Sequence, residues 1–484
     1  MDTNLIFSKS KKGRKAYTLP KIDVPDVTKE LSVKFVREEK IELPEVSENE
    51  LYRHLVKLSN KNFHIDVGMY PLGSCTMKYN PKVNEVTSRF DNFLNLHPLQ
   101  SRDNVQGSLE IIYKIQVILE EISGFDQVSM SPAAGAHGEF AGILAIRKYH
   151  ESRNEIEKRR KILVPDSAHG TNPASASMCG FDVVSIESLE NGQIDIESLK
   201  DHLGDDIAGM MITMPNTVGI FEEQITEISK LVHECGGLMY MDGANLNAIM
   251  GIVKPGDIGF DVMHFNLHKT FSTPHGGGGP GSGPVGVNKK LSQFLPSPIV
   301  EKEGNTYKFA EVTPDSIGKM LTFWGNFAII VRAYTYLRML GADGLFAVSK
   351  NAIINANYIL QRLKDYYDAP YKKEKIMHEA ILSSDSLKKK YGISTFDVAK
   401  RLQDYNFHPP TIYFPLIVHE ALMIEPTETE SKENIDAFCD AMIKITDEAK
   451  NNPEIVKSAP NNLQIGRLDD AYAAKNINVC CYLN

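Results

Sequence analysis

The sequence predicts an α/β fold: a large domain on a mainly parallel sheet, followed by a smaller α+β domain. Three observations carry that expectation. Short apolar runs recur, and each ends in a proline or a polar residue. Longer mixed segments with helical periodicity separate them, which is the pattern of βαβ units. At 484 residues the chain also exceeds what a single hydrophobic core organises.

The elements follow in order. Residues 1–70 read as an N-terminal arm, because Pro20, Pro25 and Pro44 break any long helix and only 48–58 has helical character. In large assemblies such arms commonly wrap a neighbouring subunit. The large domain is expected over 71–325. Its strand candidates are 161–164 (KILV, ending at Pro165-Asp166), 181–186 (FDVVSI), 207–213 (IAGMMIT, ending at Pro215-Asn216), 237–241 (GLMYM, ending at Asp242) and 260–265 (FDVMHF, leading to Lys269). Segments such as 222–235 supply helices between them. The remainder, 326–484, begins with a long helical stretch, read over about 325–364. It then carries the apolar run Leu416-Ile417-Val418 and a helix over 432–451.

Bulk composition excludes several classes. With 42% hydrophobic and 24% charged residues the chain reads as an ordinary globular protein. A net charge of −9 disfavours nonspecific binding to nucleic acid or to a membrane surface. The cluster Lys9, Lys11, Lys12, Arg14, Lys15 reads as a solvated arm. No apolar stretch is long enough to span a bilayer, and the start lacks the features of a secretory or transit segment. Six cysteines without zinc spacing fit a reducing cytoplasm, with Cys480-Cys481 a pair of free terminal thiols. No P-loop, zinc-protease motif or other metal site is present.

In open α/β sheets ligands sit beyond the carboxyl ends of strands, where Asp166, His169, Asn216, Asp242 and Lys269 all fall. Lys269 ends an apolar-leaning run and passes into the glycine-dense stretch 276–283, which presents an amine and leaves room for a flat ligand. An amine able to form an imine and an acid able to hold a pyridinium proton are what pyridoxal phosphate (PLP) most needs from a protein. Lys269 and Asp242 are therefore the expected Schiff-base lysine and ring-nitrogen partner, although Asp242 alone could be an ordinary strand-end carboxylate. Ala244 leaves space below the ring. The small residues of Ser131–Glu139 open a helix whose N-terminus suits a phosphate, or form only a tight turn. His169, beside Gly170, is either a structural histidine or a ring-stacking one. Gly276-x-Gly278-x-x-Gly281 matches a dinucleotide pattern formally, but Pro280 and Pro284 disfavour the helix that pattern requires. Tyr70–Pro81 reads as a loop dense in hydrogen-bonding groups, including Cys75, and suits a substrate lip.

Taken together, PLGSCTMKYN (71–80), AGAHGE (134–139), HGTNP (169–173), MDGAN (241–245), NLHKTFSTPHGGGG (266–279) and LMIEPTETESK (422–432) resemble the glycine decarboxylase P-protein family, in its separate-subunit form. The resemblance spans roughly 60–475. It implies the PLP-dependent transferase fold type I, related to aspartate aminotransferase, with PLP covalent on Lys269. It also implies Asp242 on the pyridine nitrogen and His169 over the ring. Ala134, Gly135, Ala136 and His268 would hold the phosphate, and Ser74, Cys75 and Thr76 would line the glycine end. The implied reaction decarboxylates glycine and passes the aminomethyl group to the lipoyl arm of H-protein. The implied assembly is an α2β2 heterotetramer with subunit 1. Two positions depart from the family pattern: His97-Pro98-Leu99-Gln100-Ser101, and Ser108 where an aromatic is usual. Rival readings are another fold type I enzyme, an aminotransferase with Arg467 clamping a carboxylate for example, and a catalytically silent docking subunit.

Overall fold

The computed structural model describes residues 5–25, 27, 30–39, 41–276 and 281–478. The central glycines of the 276–283 run and Cys480-Cys481 lie outside them. Two compact units are present, Met1–Val67 and Gly68–Asn484. In the first, the helix Glu48–Ser59 starts at a capping box in which Ser47 N donates to Glu50 Oε2 at 3.5 Å. Tyr17, Leu19, Ile22, Val33 and Phe35 are exposed in this unit.

The second unit is built on a seven-stranded sheet. Its strands are β1 (Gln127–Ser129), β2 (Lys161–Pro165), β3 (Asp182–Ile186), β4 (Ile207–Thr213), β5 (Leu238–Gly243), β6 (Val262–Phe265) and β7 (Val285–Val287), in the order β1-β7-β6-β5-β4-β2-β3. From β6 to β3 all neighbours are parallel, whereas β7 runs antiparallel to both β6 and β1. Every residue of β4, β5 and β6 is buried. That is why these strands read as continuous apolar runs and not as alternating ones.

Each face of the sheet carries its own helical layer. Met239, Met241, Met210 and Ile212 point into a core shared with Leu109, Ile115 and Leu119 of the helix Gln106–Ser123. Leu238, Tyr240 and Met211 point the other way, onto Ile143 and Ile146 of the helix Gly135–Ser152. The period of two along each strand thus sorts residues between two cores.

The long helix Phe327–Leu363 connects these layers to the C-terminal region. Its continuity breaks at Gly341, whose φ of 61° and ψ of −174° are not helical. Before the break Ile330, Ala333 and Leu337 join the large core. Beyond it Ala356, Ile359 and Leu363 join a second one. The second core packs that helix and the helix Lys432–Asn451 on a small antiparallel sheet of β10 (Ala380–Ser383), β11 (Thr411–Ile412) and β12 (Ala421–Ile424), ordered β10-β12-β11. Between the two sheets lies the hairpin β8 (Val300–Glu303) and β9 (Thr306–Phe309). Leu416-Ile417-Val418 is a turn, with Leu416 84% exposed. Among the described residues no helix is long and apolar enough to cross a membrane.

Candidate active site

The carboxyl ends of β5 and β6 bring the two expected residues to one edge of the sheet. Asp242 pairs in register with His264, and Lys269 sits in the short helix Leu267–Thr270 that follows β6 directly. Asp242 is 2% exposed. Its Oδ2 accepts from Asn172 Nδ2 at 3.0 Å and Thr213 Oγ1 at 3.4 Å, and its Oδ1 accepts the Ala244 N–H at 2.9 Å. His264 Nε2 approaches Oδ1 at 3.3 Å, and Tyr240 Oη meets His264 Nδ1 at 2.7 Å. Burial alone would raise this carboxyl. His264, the Asn172 amide, the Ala244 N–H and the Lys269 charge outweigh it and hold Asp242 below the usual carboxylate range.

Lys269 Nζ donates to the Ser74 carbonyl at 2.8 Å. The 71–81 loop is thereby brought to the lysine. It reaches that place by running antiparallel to β12: Leu72 bridges Ile424, Gly73 N donates to Met423 O at 3.2 Å, and Glu425 N donates to Pro71 O at 3.2 Å. Cys75 lies beside them, and burial pushes its thiol up to about 11, with the Lys269 charge opposing and Glu425 and Glu379 adding to the rise. A thiol held that high stays protonated at neutral pH. Further along the loop, Lys78 is buried. Its Nζ donates to Asn247 Oδ1 at 2.6 Å, to the Thr270 carbonyl at 3.1 Å and to Glu428 Oε1 at 2.7 Å.

His169 follows β2, half-buried, its Nδ1 3.0 Å from Thr171 Oγ1 and its ring edge-on to Phe414 at 5.6 Å. Thr171 and Ser175 both donate to the buried Glu139, at 2.9 and 3.1 Å. That carboxylate sits in the helix Gly135–Ser152 and so ties the helix to the His169 segment. Ala134 is the N-cap of this helix, which has no side-chain cap. The N–H groups of its first turn therefore remain available to an anion. A Cβ on Gly135 would stand 2.6 Å from Asn266 Oδ1, and one on Gly283 would strike the Ala134 backbone, so only bare backbone fits there. His268 lies next to this cradle: its Nδ1 accepts the Ser282 N–H at 3.3 Å, and its ring is 5.0 Å from that of His275. Burial brings His268 down to about 3 and His275 to about 4, the Lys269 charge adding to both and His275 adding to His268. Ser282 Oγ and His275 Nε2 are buried without a hydrogen-bond partner among the described residues. Unpartnered donors beside an uncapped helix N-terminus suit a phosphate group, so the residues present fit PLP.

Other expected positions have different work. Asn216 accepts from Val218 N and Ile220 N at 3.1 and 3.0 Å, which fixes its own loop. Asp166 is exposed. Arg467 pairs with Asp397 at 2.8 Å and donates to the Ala459 carbonyl at 2.7 Å, so it is spent within the C-terminal region and is not a carboxylate clamp. Ser108, the departure from the family pattern, borders an open cavity of about 710 Å³ lined by Phe90, Phe93, Leu96 and Val105. Sequence reasoning missed Tyr240 and His264 behind Asp242, and it missed His378, Glu379 and Glu425 behind the loop. Asn172, three residues after His169 inside a noted motif, could have been found by that spacing.

Comparison with known proteins completes the picture. Residues 18–307 match the family model of the glycine cleavage system P-protein, and residues 348–465 that of the glycine dehydrogenase C-terminal domain. A probable glycine dehydrogenase (decarboxylating) subunit 2 of Chlorobium chlorochromatii is 57% identical over 99% of this chain and 100% of its own length. The protein of the same description from Caldanaerobacter subterraneus is 57% identical over 98% and 97%. Among solved structures, an inhibitor-bound glycine decarboxylase (P-protein) superposes with a TM-score of 0.72 at 18% identity, covering 87% of this chain and 94% of that one. A NifS-like protein gives 0.61 at 15% identity over 78% and 99%. The architecture is that of fold type I. On the full-length match to its relatives and the family model that spans its large sheet, the chain belongs to the glycine cleavage system P-protein family, alongside the chains described as subunit 2.

Proposed function

We propose that this chain is the PLP-carrying subunit 2 of the P-protein, a glycine dehydrogenase (decarboxylating) that releases CO2 from glycine and passes the aminomethyl group to the lipoyl arm of H-protein. The observation that carries the reading is the pairing of Lys269 and Asp242 at the ends of adjacent parallel strands, with Asp242 enclosed yet held ionised. When bound, PLP supplies an electron sink for the pair released as the glycine carboxylate departs.

The chain's own residues do the rest. Lys269 offers the amine that holds the cofactor. Asp242 would accept the ring N–H and keep its proton in place, with Asn172, Thr213 and His264 fixing the carboxylate. His169 would cover one face of the bound ring and Ala244 would leave room on the other. Ala134, Gly135 and Ala136 offer the phosphate the uncapped helix N-terminus, with His268 beside it. Ser74, Cys75 and Thr76 would line the glycine end. Division of labour follows the sequence: 71–325 carries the cofactor, 326–484 closes over it as the smaller domain, and 1–70 serves assembly. The exposed apolar side chains of the arm are a surface that subunit 1 would cover in an α2β2 tetramer. The scattered cysteines without zinc spacing favour a reducing cytoplasm as its compartment.

Glycine-dependent bicarbonate exchange, with subunit 1 and lipoylated H-protein added, tests the reading. Exchange should occur and Lys269→Ala should abolish it. Borohydride reduction followed by peptide mapping should place a pyridoxyl group on Lys269. Keto-acid formation without exchange would make this another fold type I enzyme, and exchange without label on Lys269 would make it a silent subunit.

A further inference from the structure

Behind the Ser74–Thr76 turn three ionisable side chains are wholly enclosed: His378, Glu379 and Glu425 are each 0% exposed. Their polar atoms lie within 4.8 Å of one another. His378 Nε2 stands 3.8 Å from Glu379 Oε1 and 4.0 Å from Glu425 Oε1. Both His378 nitrogens, Glu379 Oε2 and Glu425 Oε1 have no hydrogen-bond partner among the described residues. The other two carboxylate oxygens are engaged, and both by the turn. Ser74 N donates to Glu379 Oε1, and Thr76 N donates to Glu425 Oε2 at 2.8 Å. Ser74 and Thr76 have φ of 63° and 45°, a left-handed backbone that residues with a side chain hold only when their surroundings fix it. On its other side, the Ser74 carbonyl accepts from Lys269 Nζ. One residue therefore separates the lysine amine from the enclosed acid.

Two carboxylates shut in together do not both ionise, because neither water nor a matched cation offsets the second charge. The charged and titratable groups facing the pair are Lys269 and Lys78 from the large sheet side and the loop, Cys75 in the turn, and His378 on their own strand approach. We propose that Glu379 and Glu425 hold one proton between them, with His378 enclosing it, and so latch the Ser74–Thr76 turn at the position where the Ser74 carbonyl receives the Lys269 amine. These are positioning residues for the reaction proposed above, and the inference rests on that reading only for its effect on turnover. Burial and the adjacent Glu425 push Glu379 well above the usual carboxylate range, and burial brings His378 down. Glu379 is therefore the member of the pair that favours the protonated form, and the Glu425 carboxyl accepts the Thr76 N–H. Tetrahedral zinc, with bonds near 2.1 Å, would set its ligand atoms about 3.4 Å apart, closer than the spacings of 3.8 and 4.0 Å to His378.

The test begins with the cofactor-free chain, which separates it from the fate of the proposed function. A protonated carboxyl has an infrared carbonyl band that a carboxylate lacks. At neutral pH the wild type should show this band, and Glu379→Gln should lose one carboxyl equivalent of it. A wild-type band already absent at pH 7, or no loss in the variant, overturns the proposal, as does one equivalent of divalent metal found by elemental analysis and lost in Glu379→Gln. In the exchange assay Gln mimics the protonated acid at 379, whereas at 425 it puts an amide in place of the carboxyl that accepts the Thr76 N–H. Glu425→Gln should therefore cost on the order of tenfold to a hundredfold more than Glu379→Gln, as a displaced positioning group does, and Glu379→Gln should shift the alkaline limb of the pH profile. Equal or reversed losses, with an unmoved limb, overturn the latch.

Discussion

Asp242 keeps its charge where burial alone would remove it, and the residues responsible stand one layer further back. His264 is 1% exposed on its side chain, and its orientation is set by the Tyr240 hydroxyl at 2.7 Å. With that hydroxyl donating to Nδ1, the proton on Nε2 points at Asp242, an assignment made from the hydrogen-bond network. Asp242→Asn should leave the fold intact and lower exchange by on the order of 100-fold or more, the usual consequence of losing a fixed charge at the reacting centre. Tyr240→Phe should act more mildly on turnover and cost about 1–3 kcal/mol of stability by leaving a buried imidazole nitrogen unpaired; denaturant titration measures it. Lys269 and Asp242 stood out in the sequence because one closely follows an apolar run and the other ends one, each with a side chain that needs a chemical reason to be there. Tyr240 and His264 lie inside apolar runs, where alternating strand residues already have a packing role. Nothing in the order of residues marks them.

At the scale of the element, the helix Gly135–Ser152 shows how a site is held by what is missing. A Cβ on Gly142 would stand 2.5 Å from Tyr240 Cε2, and one on Gly138 would stand 2.6 Å from the Gly283 carbonyl and 2.9 Å from His264 Cβ. The two glycines, one turn apart, let the helix lie flush on β5 and β6 and bring its N-terminus to the cradle. Gly142→Ala meets a ring edge and should cost about 1–3 kcal/mol by overpacking. Gly138→Ala meets backbone, so it should shift the helix N-terminus and also weaken PLP binding, which a fluorescence titration would read. Equal PLP affinity in both variants would show that the N-terminus does not position the phosphate. The central parallel strands β4, β5 and β6 were readable because each is buried throughout and so leaves an apolar run, whereas β3 at the sheet edge is partly exposed and was marked by Val183-Val184 and Ile186. β1 and β7 were not, since three residues such as Val285-Gly286-Val287 carry no period. Leu416-Ile417-Val418 misleads in the opposite sense: it is apolar, yet it turns at the surface between β11 and β12. The break at Gly341 was hidden by a helical pattern that continues on both sides of it.

Over the whole molecule, the site depends on contacts that join distant stretches of chain. Lys78 links the 71–81 loop to Asn247, to the helix that carries Lys269, and to Glu428 beyond the small sheet, with side-chain exposures of 0% and 7% for the ion pair. Lys78→Met would strand a buried carboxylate and should cost about 3–5 kcal/mol, seen as a lower denaturation midpoint. The two neutral imidazoles beside the phosphate cradle set the response to acid. His268 and His275 titrate near 3 and 4 in the folded chain, against 6.5 when unperturbed. Below pH 6.5 the unfolded chain therefore binds protons that the folded chain refuses, and stability falls as pH drops from 6.5 towards 4. A tenfold difference in proton affinity is worth about 1.4 kcal/mol, so the two histidines together weaken the cofactor-free chain by a few kcal/mol across that window. A bound phosphate dianion would attract protons to the same imidazoles and reduce the dependence. Melting temperatures of wild type and His268→Asn between pH 7 and 4, each with and without PLP, measure it. The wild-type slope should exceed that of the variant, and PLP should narrow the gap; identical slopes in all four series would mean that His268 does not stand in the phosphate's field.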